Sequence, residues 1–203
     1  MTAPAGAGAR PPRSSRKRHT IMHSDLLAYC RALRARIHAN GNRPDLAFQL
    51  TAENTTRLDR LAAGLLPDDE MVMLGIAANI PQVRDLAMAA ITPKAARDQA
   101  RLWTSVGEFL HPAFVTPAAF LAGYACAVSG DLWDGLVAAE LALACDAHFE
   151  LAHLLDRFLR EGRPVPPAEF LTAGMSGRRP AADWLAPLAS RLDPALRADA
   201  RLN

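Results

Sequence analysis

The sequence predicts an all-α protein built from stacked helical hairpins. Alanine and leucine, which favour helices, are abundant in its 203 residues, whereas the β-branched residues valine and isoleucine, which favour strands, are scarce. Apolar residues recur with the helical period of about 3.6, and residue types typical of helix ends interrupt that period repeatedly. No stretch of strand length alternates between apolar and polar residues, so no strand is predicted.

The first predicted helix begins at Ser24, a residue type typical of N-caps, and ends at Gly41. One face of this helix is apolar and comprises Leu26, Leu27, Cys30, Leu33 and Ile37. Residues 44–50 are predicted to form a short helix. Thr51 is then predicted to cap a separate helix that ends near Gly64.

Proline and acidic residues mark the next two helices. The sequence Pro-Asp-Asp-Glu at 67–70 predicts a helix start, because carboxylates are stabilised by the positive end of the helix dipole. Pro81 predicts another start. The inner face of that helix is predicted to comprise Val83, Leu86, Ala87 and Ile91.

Thr-Pro pairs at 92–93 and 116–117 each place an N-cap residue before a proline in the first helical position. Each pair therefore predicts a helix that begins there. The His-Pro pair at 111–112 is predicted to end the first of these helices. Its buried stripe is predicted to comprise Leu102, Val106, Phe109 and Leu110.

The segment 117–147 is predicted to be a helical hairpin, with Gly130 as the break and Asp131 as the cap of its second helix. The small residues Gly123, Gly135 and Ala142 are spaced twelve and seven apart on either side of that turn. This spacing resembles one tetratricopeptide (TPR) repeat, in which small residues let two antiparallel helices approach closely. No second repeat follows at the 34-residue interval of that family, so a single TPR-like hairpin is predicted.

A further helix is predicted after the hairpin. It ends at Glu161, and Gly162 is its C-cap. Its inward face is predicted to comprise Phe149, Ala152, Leu155, Phe158 and Leu159. The proline-rich residues 163–167 cannot be helical throughout.

A wider pattern over about residues 68–170 resembles a known family. It is carried by Val-Arg-Asp at 83–85, Leu-Trp at 102–103, the hairpin, Phe-Glu-Leu-Ala-His-Leu-Leu at 149–155 and Pro-Pro at 166–167. This pattern is similar to the C-terminal helical half of an actinobacterial family known as domain of unknown function four-one-nine-two. Residues 1–67 lie outside the resemblance. Because the pattern consists of small and apolar residues, it implies a fold and a host lineage but no activity.

The sequence predicts three regions: a disordered basic arm at 1–21, a helical domain at 22–171, and a loosely packed tail at 172–203 with a short helix near Trp184. Residues 1–43 contain nine Arg or Lys and one acid, whereas the rest contains fourteen against twenty. The arm offers a polyanion-binding site at Arg10, Arg13, Arg16, Lys17 and Arg18. The alternatives are a solubilising tail or translation that starts at Met22.

Two cysteines and two histidines near the hairpin form a candidate zinc site: Cys126, Cys145, His148 and His153. Structural zinc sites use thiolate and imidazole ligands but usually place them on tight turns, and no such turn is evident here. The favoured interpretation is therefore buried structural cysteines with two surface histidines. No metal site is predicted.

No catalytic or cofactor site is predicted either. Asp131 and Asp134 could be taken for a catalytic carboxylate pair, but an N-cap followed by an acid in the first helical turn explains both. The sequence contains no nucleophile elbow and no phosphate-binding glycine loop. The tryptophans Trp103, Trp133 and Trp184 have apolar neighbours at helical spacing and are assigned to the core or to an interface.

The composition favours a cytoplasmic protein with reduced thiols. The three cysteines are odd in number and form no Cys-x-x-Cys pair. No apolar run is expected to approach the roughly 18–20 residues that span a bilayer. The basic start is followed by no apolar core of a signal peptide, so export is not expected.

We therefore expect a non-enzymatic interaction or scaffolding module for a protein partner; the alternative is a nucleic-acid-associated accessory protein that uses the basic arm. One TPR-like hairpin presents too little surface for a peptide groove. Its inner face is predicted to be filled by the chain's own residues 93–110 and 148–161. Tyr124 and Ser129 are the polar residues nearest to any open groove there.

Overall fold

The computed structural model describes residues 28–39, 44–63, 66–168, 171, 188 and 190–192. Within these residues the chain is all-α without a β-strand, as the sequence predicts. The helices are α1 (28–39), α2 (Pro44–Ala62), α3 (Asp68–Ala77), α4 (Pro81–Ala89), α5 (Ala96–Phe109), α6 (Pro112–Ser129), α7 (Leu132–Cys145) and α8 (Glu150–Arg160). The predicted arm at 1–21, the cap at Ser24 and the helix near Trp184 lie outside the described residues.

α6 is the central helix of the fold, and every residue from 116 to 125 is buried. It packs along α5 and α7 and also contacts α3, α4 and α8. Among the largest fully buried side chains, Trp103 comes from α5, whereas Phe114 and Phe120 come from α6 itself. A helix that is apolar all round is stable only when it is covered on all sides, and this position provides that cover.

α6 also has the length and composition of a membrane span. Its 18 residues have a mean hydropathy of 1.4. The expectation that no apolar run approaches this length is therefore wrong, because the segment contains no charged residue. Since 61% of the helix is buried inside the fold, packing against the neighbouring helices accounts for its composition.

Several predicted helix ends agree with the structure. Gly130 (φ 88°) and Gly162 (φ 63°) adopt the left-handed conformation that glycine tolerates, at the ends of α6 and α8. The side chain of Asp131 caps α7, and α3 and α4 begin at Asp68 and Pro81. These ends agree because each depends only on residues within one turn of it.

α2 is one continuous helix where the sequence predicts two. Thr51 lies within it, and its carbonyl oxygen accepts a hydrogen bond from Oγ1 of Thr55 at 3.1 Å. One residue earlier, the carbonyl of Leu50 accepts from Nδ2 of the buried Asn54 at 2.7 Å. The preference of threonine for N-caps is only a local tendency, and no glycine or proline is present here to stop the backbone hydrogen bonds.

α5 begins three residues later than its Thr-Pro pair predicts. Residues 93–95 form a turn, in which the N–H of Ala95 donates to the carbonyl of Thr92 at 3.0 Å. The first helical residue is Ala96. Proline at 93 has the φ angle of a helix start, but that angle equally suits a turn, so the pair does not distinguish the two.

The second Thr-Pro pair lies inside α6, which already begins at Pro112. Nδ1 of His111 accepts from the N–H of Ala113 at 3.3 Å and thereby caps the helix. The His-Pro pair at 111–112 determines the start of α6, because the N–H that Pro112 lacks would have had no partner in the first turn. Pro117 removes one backbone hydrogen bond further along, in a segment that is buried throughout.

Of the residues predicted to face inward on α4, Val83, Ala87 and Ile91 are buried, whereas Leu86 is 41% exposed. The buried face also contains Arg84, whose guanidinium bonds Asp85 at 2.7 Å and lies 5.8 Å from the centre of the Phe149 ring. Burying a charge requires such partners. Other residues predicted to face inward are only partly buried: Leu102, Phe109, Phe149 and Phe158.

The described residues of the predicted tail pack against the helical body. Leu188 and Leu192 are buried. The guanidinium of Arg191 bonds Oδ2 of Asp146 at 2.7 Å and Oδ1 of Asn79 at 3.1 Å. These contacts tie the C-terminal part of the chain to the ends of α3 and α7.

Candidate functional site

The hairpin of α6 and α7 is closed by its glycines. A β-carbon on Gly123 would lie 3.0 Å from the carbonyl oxygen of Gly135, and one on Gly135 would lie 3.2 Å from the carbonyl oxygen of Gly123. Ala142 is fully buried on the same face of α7. The small residues of the TPR-like spacing therefore lie where the two helices pack, and the backbones meet at 123 and 135.

The chain's own residues fill the inner face of the hairpin. Leu155 of α8 would lie 3.2 Å from a β-carbon on Gly123. The buried Tyr124 donates from its hydroxyl to the carbonyl of Pro166 at 3.2 Å. Ser129 donates to the carbonyl of Cys126 at 2.9 Å but is only partly buried and lines a cleft at the start of α7, so of the two polar residues proposed for an open groove only Tyr124 is enclosed within the fold.

The outer face of α7 is apolar as well. Trp133, Val137 and Leu141 are four residues apart and form one stripe, with exposed fractions of 73%, 50% and 50%. Leu132, at the start of the helix, is 46% exposed, but it lies about 140° around the helix from Val137 and so outside this stripe. We call Trp133, Val137 and Leu141 the α7 face.

Four of the five large apolar side chains that are exposed among the described residues lie on α7, and the fifth is Leu86 on α4. The three side chains of the α7 face together expose an apolar area on the order of 300–400 Å², comparable to the largest patch of a typical monomer, which is often functional. The sides of α7 that meet α6 and α8 are covered, but this side is not.

Charges of both signs border the α7 face. Residues 102–156 contain seven Asp or Glu and no Lys or Arg, but arginines of α5 and α8 lie close to the acids of α7. On α7 itself, Asp134 and Glu140 lie three residues before and after Val137, and so on opposite sides of the stripe. Glu140 accepts from Arg160 of α8 at 2.6 Å, whereas the carboxylate of Asp134 has no ion pair among the described residues.

A cleft of about 860 Å³ opens at the start of α7. Arg97 and Arg101 of α5 line one side, and Asp131 and Asp134 line the other, together with Cys126. Partial burial, and then the charges of Asp131 and Asp134, raise the pKa of the Cys126 thiol. A catalytic cysteine requires the opposite shift, so this thiol is not activated as a nucleophile.

The residues of the candidate zinc site do not form a metal centre. Cys145 is exposed, Cys126 is partly buried in the cleft, and Nε2 of His153 lies 2.8 Å from the carbonyl of Ala147. Among the described residues, no three His, Cys, Asp or Glu side chains are grouped so that they could hold a metal ion. Asp131 acts as an N-cap: its Oδ1 accepts from the N–H of Asp134 at 3.4 Å.

Sequence reasoning named Trp133 but did not identify the α7 face. Of the three tryptophans, Trp103 is in the core, Trp133 is exposed and Trp184 lies outside the described residues. The available signal was the apolar stripe of α7 opposite its small residues, since a helix with one buried face normally carries polar residues opposite that face. The residues of the proposed polyanion site, Arg10, Arg13, Arg16, Lys17 and Arg18, also lie outside the described residues.

Comparison with protein families gives one match. A family model described as Domain of unknown function (DUF4192) matches residues 2–167. The match therefore includes residues 2–67, which lie outside the resemblance carried by residues 68–170. Neither curated proteins nor solved structures give a match.

Proposed function

The chain belongs to the family of domain of unknown function DUF4192, and from this premise and the geometry of α7 we propose that it is a protein-interaction or scaffolding module. Its docking surface is the α7 face. One observation carries the proposal: four of the five large exposed apolar side chains of the described residues lie on this single helix. Exposed apolar surface of this extent is typical of interaction sites.

The other features of the site agree with binding better than with catalysis. The cleft beside the α7 face contains a cysteine whose pKa is raised and carboxylates on one rim only. Trp133, with 73% of its surface exposed, is the kind of side chain that anchors interfaces, because it buries a large apolar area with few rotatable bonds. A partner that covers the face removes this area from water.

Site-specific photo-crosslinking in the native host tests the proposal. Val137 is replaced by p-benzoylphenylalanine in one variant and Leu86, an exposed apolar residue on α4, in the matched control. We expect a discrete protein adduct from position 137 that survives nuclease treatment and is lost with Trp133→Ala. Position 86 should give none.

Two results would overturn the proposal. Equal adducts from positions 86 and 137 would show that any exposed apolar residue reacts. Absence of a protein adduct from position 137 would show that the α7 face is not a docking surface. Adducts that disappear with nuclease would instead favour the alternative, a nucleic-acid-associated protein.

A further inference from the structure

We propose that the cleft at the start of α7 is a second site, which binds a small zwitterion: a molecule with an anionic group at one end and an ammonium group at the other. The arginines of α5 hold the anionic group, and the carboxylates of α7 hold the ammonium group. The site does not depend on the α7 face or on a protein partner. One observation carries the inference: charges of opposite sign lie on the two sides of the cleft and do not pair across it.

Two helices that are distant in the sequence supply the charged sides of the cleft. Arg97 and Arg101 are four residues apart on α5, and so they lie on the same face of that helix. Asp131 is the N-cap of α7, and Asp134 lies in its first turn. The cleft volume of about 860 Å³ lies within the range of about 300–1,000 Å³ that is typical of small-molecule sites.

These charges are not neutralised within the part of the chain that the structure describes. Arg101 approaches Asp98 of its own helix at 3.8 Å, but both side chains are more than three-quarters exposed, and such contacts contribute little. Among the described residues, no ion pair joins α5 to α7. Each side of the cleft therefore retains charge that a ligand can use.

The side chains of the two sides suit the two groups of a zwitterion. A guanidinium presents several N–H donors in a planar fork, which matches a carboxylate or a phosphate. A carboxylate accepts from the three N–H donors of an ammonium group. Thr104 and Ser129 also line the cleft, and their hydroxyls already donate to backbone carbonyls at 2.8 and 2.9 Å. Their oxygens can therefore still accept from a ligand.

Ligands of a single charge fit the cleft less well. An anion, including the repeated phosphates of a nucleic acid, would meet the carboxylates of α7, and a cation would meet the arginines of α5. The described residues contain no group of His, Cys, Asp or Glu side chains that could hold a metal ion. The thiol of Cys126 adds no third charge, because partial burial and the neighbouring carboxylates raise its pKa.

Small probes of matched length test the inference on the full chain. Aminohexanoate carries both charges, whereas hexanoate and hexylamine carry one each. Aminohexyl phosphate replaces the carboxylate by a phosphate, and shorter and longer ω-amino carboxylates vary the distance between the charges. NMR titrations measure the affinities. Alkylation of Cys126 at about pH 9, followed by mass spectrometry, reports whether the cleft is occupied, and the exposed Cys145 is the internal reference.

We expect aminohexanoate to bind ~3-fold or more tightly than either probe of a single charge. It should slow the alkylation of Cys126 but not that of Cys145. Affinity should peak at one length of the ω-amino carboxylate, because the fold sets the distance between the two sides of the cleft. Either anionic group satisfies the arginines, and the tighter of aminohexanoate and aminohexyl phosphate identifies the anion that the site prefers.

Variants assign the two charges to the two sides. Arg101→Gln should remove the advantage of aminohexanoate over hexylamine, and Asp134→Asn should remove its advantage over hexanoate. Arg157→Gln and Glu150→Gln are the matched controls, an exposed arginine and a first-turn acid of α8 outside the cleft, and should change neither. Thermal unfolding of each variant confirms that it folds.

Three results would overturn the inference. Hexanoate that binds as tightly as aminohexanoate, with no effect of Asp134→Asn, would show an anion site only. Binding that leaves the alkylation of Cys126 unchanged would place the probe elsewhere on the protein. Absence of binding by every probe would show that the cleft is not a site for small zwitterions. The crosslinking test of the α7 face is unaffected by these results, so the two proposals fail separately.

Discussion

Replacing Gly123 with alanine is expected to destabilise the fold, whereas the same change at Gly107 should stabilise it. Both residues lie inside helices, where alanine in place of glycine contributes about 0.5–1 kcal/mol through the unfolded state. They differ in their surroundings. Nothing lies within 4 Å of a β-carbon on Gly107, whereas one on Gly123 would lie 3.0 Å from the backbone oxygen of Gly135 and 3.2 Å from the β-carbon of Ala138.

The size of the effect follows from these contacts. A backbone oxygen cannot rotate away, so α6 and α7 must separate by a few tenths of an ångström. Overpacking of this kind costs about 1–3 kcal/mol. The gain from helix propensity offsets part of this cost, so we expect Gly123→Ala to lower the free energy of unfolding by about 0–2 kcal/mol. Gly107→Ala should raise it by about 0.5–1 kcal/mol.

Urea unfolding followed by circular dichroism at 222 nm measures both variants. Each kcal/mol also corresponds to a shift in Tm of about 2–4 °C for a chain of this size. Gly135→Ala, whose nearest contacts are 3.2–3.4 Å, should give a smaller loss. Because Gly123 and Gly135 share one contact, the double variant should be non-additive. Equal stability of Gly123→Ala and Gly107→Ala would refute the close-packing account.

The indole N–H of the fully buried Trp103 has no acceptor among the described residues. Trp103→Phe should therefore change the free energy of unfolding by less than about 1 kcal/mol, because removing an unpaired donor offsets the lost volume. A loss above about 3 kcal/mol would indicate a hydrogen-bonded indole. Glu53 accepts from Arg36 at 2.8 Å, and this hydrogen bond lowers the pKa of Glu53 below its usual value of 4.5. Its contribution is present above that value and is lost as the pH falls through the lowered pKa, so Glu53→Gln should be slightly less stable than wild type at pH 7, and the difference should shrink as the pH is lowered below 4.5 in urea titrations. A difference that stays constant or grows as the pH falls would contradict this reasoning. Cys145 is exposed, whereas burial raises the pKa of Cys30 to about 11. Mass spectrometry should therefore show that iodoacetamide at pH 8 alkylates Cys145 in the folded protein and Cys30 only after unfolding. Alkylation of Cys30 first would show that α1 opens readily.

Local signals in the sequence predicted most of the helix ends. The Gly-Asp pair at 130–131 determines both the end of α6 and the start of α7, since a left-handed residue and an N-cap act within one turn. Thr51 shows the limit of such signals, because a residue that favours caps can also lie inside a helix. Whether the backbone stops there depends on packing along the whole of α2.

Close contacts between helices were predicted only where a family spacing indicated them. The positions of Gly123 and Gly135 follow from the TPR-like pattern. Gly75 has no such pattern, yet a β-carbon on it would lie 2.7 Å from side-chain atoms of both Val106 and Leu110. The approach of α3 to α5 at this glycine depends on how several helices stack, which no local sequence feature encodes.

The sequence by itself determined that the protein is all-α, where most of its helices begin and end, that its hairpin closes on small residues, and that it belongs to its family. Only the tertiary structure decided which apolar residues are core and which are surface. Trp103 and Trp133 both lie among apolar neighbours in the sequence, yet one is fully buried and the other is 73% exposed. The reason is geometric: α6 packs against five helices, whereas α7 packs mainly against α6 and α8. Hydrophobicity expresses a tendency to be covered, but the arrangement of the neighbouring helices decides which faces are covered and which remain for a partner.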